Sequence, residues 1–298
     1  MFYLIAAICC YTALVFIFKV FEQYKIQLFE AIVVNYFVCI VTGILFLPEN
    51  QNFYIAEIPK QPWFLAALWI GFSFLGCFIL IGKSIQTNGL TVTTVATRTS
   101  MALPVIMAVW LYGDTLNALK ITGILLAIIA VYLTSKQTNT DNETKDIQNT
   151  IPKWVKILPV IVFLWNGLIE ISFNYAQQRL IPATEEALFV ISIFAIAFLI
   201  GAVTLVFKAT QKKLSLTRRD IIAGVIMGIP NYFSAYYYLL ALTKSQWQSS
   251  VVIPVNGIGI VLLSAAGATI LFKEQLNNNK IAGIICATAA IICLVIGK

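Results

Sequence analysis

Ten long apolar runs, divided by short polar stretches, fill almost all of this chain: approximately residues 2–19, 28–47, 63–82, 89–112, 119–135, 155–175, 187–207, 221–243, 250–272 and 279–297. A helix crossing the roughly 30 Å hydrocarbon layer of a bilayer needs about 20 apolar residues, and each run supplies about that length. The runs are continuously apolar instead of alternating, which predicts spanning helices and not a β-barrel. The expected class is an all-α integral membrane protein with ten transmembrane helices. Charge agrees with this. Only 11% of the 298 residues are charged, and mean hydropathy is +0.88. A soluble domain carries about 25% charged residues, so most of this surface has to face something other than water.

The chain also repeats itself once. Residues 113–123 (GDTLNALKITG) return as residues 273–283 (KEQLNNNKIAG) at an offset of 160, with Leu116, Asn117, Lys120, Ile121 and Gly123 matching Leu276, Asn277, Lys280, Ile281 and Gly283. Each copy joins the last two runs of five. The polar stretch 136–153 separates a first five-helix repeat (1–135) from a second (154–298). Five crossings is an odd number, so two such units in tandem thread the membrane in opposite senses, and an inverted repeat is expected.

Several functions are excluded by what the chain lacks. It contains no His, and its six Cys lie within apolar runs without a CxxC pair, so no metal site is expected. No P-loop, dinucleotide fingerprint or calcium loop is present, and no cofactor is expected. The net charge of +7 sits mainly between the runs, which suits membrane flanks and not nucleic acid. The first run has no basic leader and no cleavage site after it, so it is expected to be retained as a helix. Of the 20 Lys and Arg, Arg98 lies inside a run, 14 follow odd-numbered runs and 5 follow even-numbered ones. By the positive-inside rule this places both termini outside.

Polar groups inside the runs are the candidate site. Glu170 lies near the middle of the sixth run, where a carboxylate costs about 2.5–3.5 kcal/mol unless it faces protein or water. Asn166, Glu170, Asn174 and Gln177 follow at helical spacing and form one stripe. That stripe reads either as a cavity wall, with Glu170 binding a cation or taking up a proton, or as a structural network between helices. Arg98, near the middle of the fourth run, shares a face with Thr91 and Thr94, while Thr93, Thr97 and Ser100 form the adjacent face. Arg98 reads either as a clamp for a solute carboxylate or phosphate or as a permanent partner of Glu170. Asn231, Ser234 and Tyr238 in the eighth run, and Asn256 in the ninth, are further cavity candidates. Pro104 and Pro254 interrupt the fourth and ninth runs and are candidate hinges. Asn35, Cys39 and Thr42 read as packing. Asp114 and Glu274 read as caps that orient the helix after them.

The ten-run count, the five-plus-five repeat and the paired turns Leu111-Tyr112-Gly113-Asp114 and Leu271-Phe272-Lys273-Glu274 resemble the drug/metabolite transporter superfamily, EamA type. Residues 250–262 (SVVIPVNGIGIVL) are similar to the Gly-rich helix of the related small multidrug pumps. The resemblance implies a ten-helix carrier in a bacterial inner (cell) membrane, with a central cavity lined by helices 1, 3, 4, 6, 8 and 9. It implies cytoplasmic termini, opposite to the charge rule. The expected function is secondary, ATP-independent transport of small organic metabolites by alternating access, including efflux of amino acids or related compounds. A passive channel or membrane scaffold, or a membrane-embedded enzyme, is the alternative, and no catalytic residue is expected. The expected partners are a small-molecule solute and the lipid bilayer, and a monomer would suffice.

Overall fold

The computed structural model describes residues 2–47, 55–104, 106–107, 117–135, 157–182, 184–213, 215–244 and 249–297. Among these the chain forms ten α-helices, one short 3-10 helix (Ile55–Lys60) and no strand. The helices are α1 (Phe2–Gln23), α2 (Leu28–Leu45), α3 (Phe64–Asn88), α4 (Leu90–Thr99), α5 (Ala118–Ser135), α6 (Leu158–Arg179), α7 (Glu186–Thr210), α8 (Arg218–Lys244), α9 (Ser249–Ile270) and α10 (Asn278–Ile296). Five of them (α1, α2, α3, α7 and α10) are long and apolar enough to cross a membrane, and α5, α6 and α9 hold shorter apolar stretches. The expected linker 136–153 and Asp114 lie outside the described residues.

The repeated segment is a helix start. Asn117 accepts at Oδ1 from the Lys120 backbone N–H at 2.8 Å, and Asn277 accepts from the Lys280 N–H at 2.9 Å. Each asparagine thereby satisfies one of the orphan donors at the start of α5 or α10. The acidic turn residue does something else. Glu274 does not cap α10 but reaches across to α4, accepting from the Leu90 N–H at 3.1 Å while pairing with Lys280 at 3.0 Å.

Two boundaries differ from the hydropathy reading. The third run was expected to end at residue 82, yet α3 continues through 83–88 to Asn88, because polar residues stop a membrane span without stopping a helix. Gly89 ends it at φ 98°, a conformation that favours glycine. The fourth run was expected to be interrupted at Pro104, and the break comes just before it: α4 stops at Thr99, Ser100 and Met101 form a turn, and residues 102–104 are helical again. Pro104 has no N–H to give to the Ser100 carbonyl, which instead accepts from the Leu103 N–H at 2.9 Å, so the backbone turns there. Pro254 lies inside α9 and Pro230 inside α8 without ending either helix.

The helices pack in an exchangeable pattern. Swapping α1–α5 for α6–α10 turns the α2/α8 contact into α7/α3, α1/α8 into α6/α3, α1/α9 into α6/α4, and α4/α5 into α9/α10. All of these pairs touch, and α2/α7, α4/α9 and α5/α10 map onto themselves. The α2/α7 pair is antiparallel. Glu30 pairs with Lys208 at 2.9 Å, Val33 sits against Gly201, and Tyr36 meets Phe194 with ring centroids 5.8 Å apart.

Two further contacts tie helix starts together. Asp220, whose Oδ2 is bound by the Thr217 N–H and hydroxyl at 2.7 Å each, accepts at Oδ1 from the Gln27 N–H at 2.7 Å, joining the starts of α2 and α8. Trp63 donates its indole N–H to Glu185 at 2.6 Å, joining the starts of α3 and α7.

Burial is distributed as a bilayer would require. Leu45, Leu65, Val203, Ile270 and Ile296 are exposed, whereas Asn35, Thr91, Thr97, Ser100, Asn231 and Ser264 are buried. Large apolar residues fill the interior as well (Tyr36, Trp63, Phe18, Phe189 and Phe194), so apolar side chains lie both inside the bundle and on its outer surface.

Candidate functional site

One network of inward-facing polar groups forms where α4 crosses α6. The bend after Thr99 brings Ser100 beside α6, and Leu103 packs on Gly167, which has no side chain to hold it off. Asn166 faces this crossing. Its Nδ2 donates to the Ser100 hydroxyl at 2.7 Å, the Thr97 carbonyl at 3.1 Å and Glu170 Oε1 at 2.9 Å. The Ser100 hydroxyl in turn donates to the Thr97 carbonyl at 2.6 Å. Asn166 and Glu170 lie one helical turn apart on the same face of α6, which makes this network possible.

Arg98 stands beside the network without joining it. Its guanidinium carbon lies 3.8 Å from the centre of the Tyr11 ring on α1. The ring covers one face of the cation but offers its in-plane N–H groups no acceptor. Nε is buried without a hydrogen-bond partner. Arg98 and Glu170 act on each other electrostatically, yet no contact ion pair joins these two described side chains. The Tyr238 phenol from α8 is within electrostatic reach of both, and Cys77 from α3 is within reach of Glu170.

The other expected residues have distinct placements. Thr94 is buried, and its hydroxyl donates to the Leu90 carbonyl at 2.9 Å. Asn231 is buried between α8 and α2, donating to Asn35 Oδ1 at 3.1 Å. Ser234 donates to the Asn231 carbonyl at 2.8 Å within its own helix. Asn256 is buried on α9, and its Oδ1 has no partner. The side chains of Asn174 and Pro254 lie outside the described residues.

Tyr11 was not singled out in the sequence, because an aromatic residue in an apolar run carries no signal there. Thr97 and Ser100 were visible as a polar face but not as partners of Asn166. The aromatic cluster on α8 is occupied with itself and with α1. Tyr237 stacks on Phe233 and Tyr3 at 5.2 and 6.2 Å, and Tyr236 stacks on Tyr232 at 5.7 Å. Among the described residues no group of three His, Cys, Asp or Glu side chains is placed to hold a metal ion.

No family model matches the chain. Over 301 residues it is 27% identical to an uncharacterized protein of Haemophilus influenzae, covering 98% of this chain and 96% of that one. It also superposes on a solved crystal structure with a TM-score of 0.60, covering 97% of this chain and 94% of that chain at 13% identity. At that identity the likeness is one of fold.

Proposed function

We propose that this chain is a secondary transporter of small organic solutes, built as ten transmembrane helices in two inverted five-helix repeats and working by alternating access. The observation that carries the reading is the state of Arg98: a cation inside an apolar helical bundle, with Nε unbonded and with Glu170, the carboxylate on which it acts electrostatically, bound by Asn166. Leaving a charged donor unsatisfied in a low-dielectric interior is costly, which favours a visiting partner over a permanent one.

The packing supports the repeat. The Gln27–Asp220 contact joins the starts of α2 and α8 at one end of α2. Its counterpart under exchange of the halves, Trp63–Glu185, joins the starts of α3 and α7 at the end where antiparallel α7 begins. Like contacts at opposite ends are what two similar halves threaded in opposite senses produce. The bend ahead of Pro104 and the proline inside α9 provide places for α4 and α9 to flex as the halves rock. The resemblance to EamA-type drug/metabolite transporters, and with it a bacterial inner-membrane location, belongs to the same proposal.

The test is a thermal-shift screen of purified protein against a metabolite collection, followed by counterflow of any hit in proteoliposomes. A carrier accelerates uptake of labelled solute when unlabelled solute is trapped inside, and a passive pore does not. Hits whose stabilisation is unchanged in both Arg98→Ala and Glu170→Gln would move the site elsewhere.

A further inference from the structure

We infer that the corner of the bundle where the α1–α2 and α7–α8 turns meet binds anionic phospholipid headgroups, through Lys25, Lys212, Lys213, Arg218 and Arg219. This rests on the apolar outer surface and not on the transporter reading.

The corner is one surface. Glu30 at the start of α2 pairs with Lys208 near the end of α7 at 2.9 Å, and the Gln27 N–H donates to Asp220 on α8 at 2.7 Å. Its carboxylates are taken up by these contacts. Glu30 and Asp220 are buried, Asp220 also accepts from the Thr217 N–H and hydroxyl, and Glu22 pairs with Lys19 at 3.2 Å. The five cations are exposed and enter no described ion pair. The surface thus carries a cluster of positive charge with no carboxylate of its own left to balance it.

Local structure does not require these cations. α1 and α7 end alike. The Lys25 N–H donates to the Glu22 carbonyl at 3.2 Å and the Ile26 N–H to the Phe21 carbonyl at 3.0 Å. The Lys212 N–H donates to the Ala209 carbonyl at 3.0 Å and the Lys213 N–H to the Lys208 carbonyl at 2.9 Å. Such a helix ending usually places glycine at its left-handed position, yet here that position holds Lys25 at φ 53° and Lys212 at φ 55°. Arg218 and Arg219 open α8, at the end of a helix whose dipole disfavours cations and favours anions. An anion in front of α8 is favoured by the arginines and by the helix start together.

Exposed apolar residues beside the cations set their depth. Tyr24 in the α1–α2 turn, Phe207 on α7 and Leu216 just before α8 are all exposed. Cations next to such residues reach the level of the headgroup phosphates, where clustered Lys and Arg attract anionic lipid. A soluble polyanion finds the same charges but gains nothing from the apolar neighbours.

The experiment titrates phosphatidylglycerol, or phosphatidylcholine as the neutral control, into the purified full-length protein in neutral detergent and follows the unfolding midpoint. The midpoint should rise with phosphatidylglycerol only, and the rise should shrink in high salt. Glycerol phosphate at the same phosphate concentration should leave it unchanged. Each Lys or Arg near an anionic surface strengthens binding about 5-fold, so Lys25→Gly with Lys212→Gly should raise the lipid concentration at half effect by about 25-fold. Glycine adopts the left-handed conformation freely, so this variant should keep its fold without lipid, and misfolding cannot mimic the loss. Arg218→Gln with Arg219→Gln should lose a similar amount, and Lys60→Gln, at the other end and already paired with Glu57, should lose none. An equal rise with both lipids, a rise reproduced by glycerol phosphate, an unchanged titration in the glycine variant, or as large a loss in Lys60→Gln would overturn the assignment. Basic residues that only orient the chain during insertion would give the first of these results.

Discussion

Gly123 lies directly against Leu294, so that a Cβ built on the glycine would come within 2.7 Å of the leucine Cγ. The same relation recurs 160 residues away with the halves exchanged, where Gly283 lies against Thr134. The α5/α10 seam is thus two like contacts in which each helix supplies a glycine to the other. Small residues at such seams let backbones approach closely, and an added side chain has nowhere to go. Gly123→Leu should lower stability by about 1–3 kcal/mol, the usual cost of overpacking. Gly283→Leu should cost a similar amount, because its contact is the counterpart. Thermal unfolding in detergent checks both, and Gly123→Ala combined with Leu294→Ala should cost less than the two changes added separately.

Asn117 and Asn277 should behave as a pair of helix caps. Replacing either with Ala removes the acceptor for the Lys120 or Lys280 N–H and should cost about 1 kcal/mol, while Asp or Ser should be tolerated. Asp at position 117 should keep the cap but lose a second bond, because the Asn117 amide also donates to the Gly297 carbonyl at 2.8 Å, which a carboxylate cannot do. Unfolding midpoints of Asn117→Ser, Asn117→Asp and the matching Asn277 variants would separate the two roles.

These caps show where the sequence was readable. A segment that repeats at a fixed offset and ends two apolar runs has a local job, and Asn117 performs it without help from distant residues. Arg98 and Glu170 stood out for a similar reason, since a charge inside an apolar run is expensive wherever it points. What it points at was not readable. Tyr11 is one aromatic among many, and only the meeting of α1 with α4 gives it a cation to hold. Asn231 resembled a cavity residue because a polar group in a run has to face inward, but its partner Asn35 belongs to a helix it meets only in the folded chain. The extension of α3 was hidden because hydropathy marks what a bilayer accepts and says nothing of whether residues 83–88 stay helical, which they do.

Glu274 should matter more for α4 than for α10. Its carboxylate serves the Leu90 N–H, an orphan donor at the start of α4, across the interface between the halves. Glu274→Ala should leave that donor without its partner at a cost of about 1–3 kcal/mol. Glu274→Gln, which keeps an oxygen acceptor but loses the charge paired with Lys280, should cost less. Hydrogen exchange read by mass spectrometry should show faster exchange over residues 90–94 in the Ala variant than in the Gln variant. Equal exchange in both would mean that Glu274 acts on α4 only through Lys280.

The threading of the two halves can be read from the surface. Glu30 pairs with Lys208, so the α1–α2 turn and the α7–α8 turn lie at one end of the bundle. Trp63 donates to Glu185, so the approach to α3 and the α6–α7 turn lie at the other. If the first five helices and the last five cross a bilayer in opposite senses, cysteines placed at Lys25 and Lys212 share one face, and cysteines at Lys60 and Thr184 share the opposite face. In a background with Cys9, Cys10, Cys39, Cys77, Cys286 and Cys293 replaced, a membrane-impermeant maleimide applied to intact cells should label one pair and spare the other until the cells are opened. Lys25 and Lys212 belong to the more basic end, so the positive-inside rule makes them the protected pair. Labelling of Lys25 together with Lys60 would mean that α2 does not span the bilayer, and the inverted threading would fall with it.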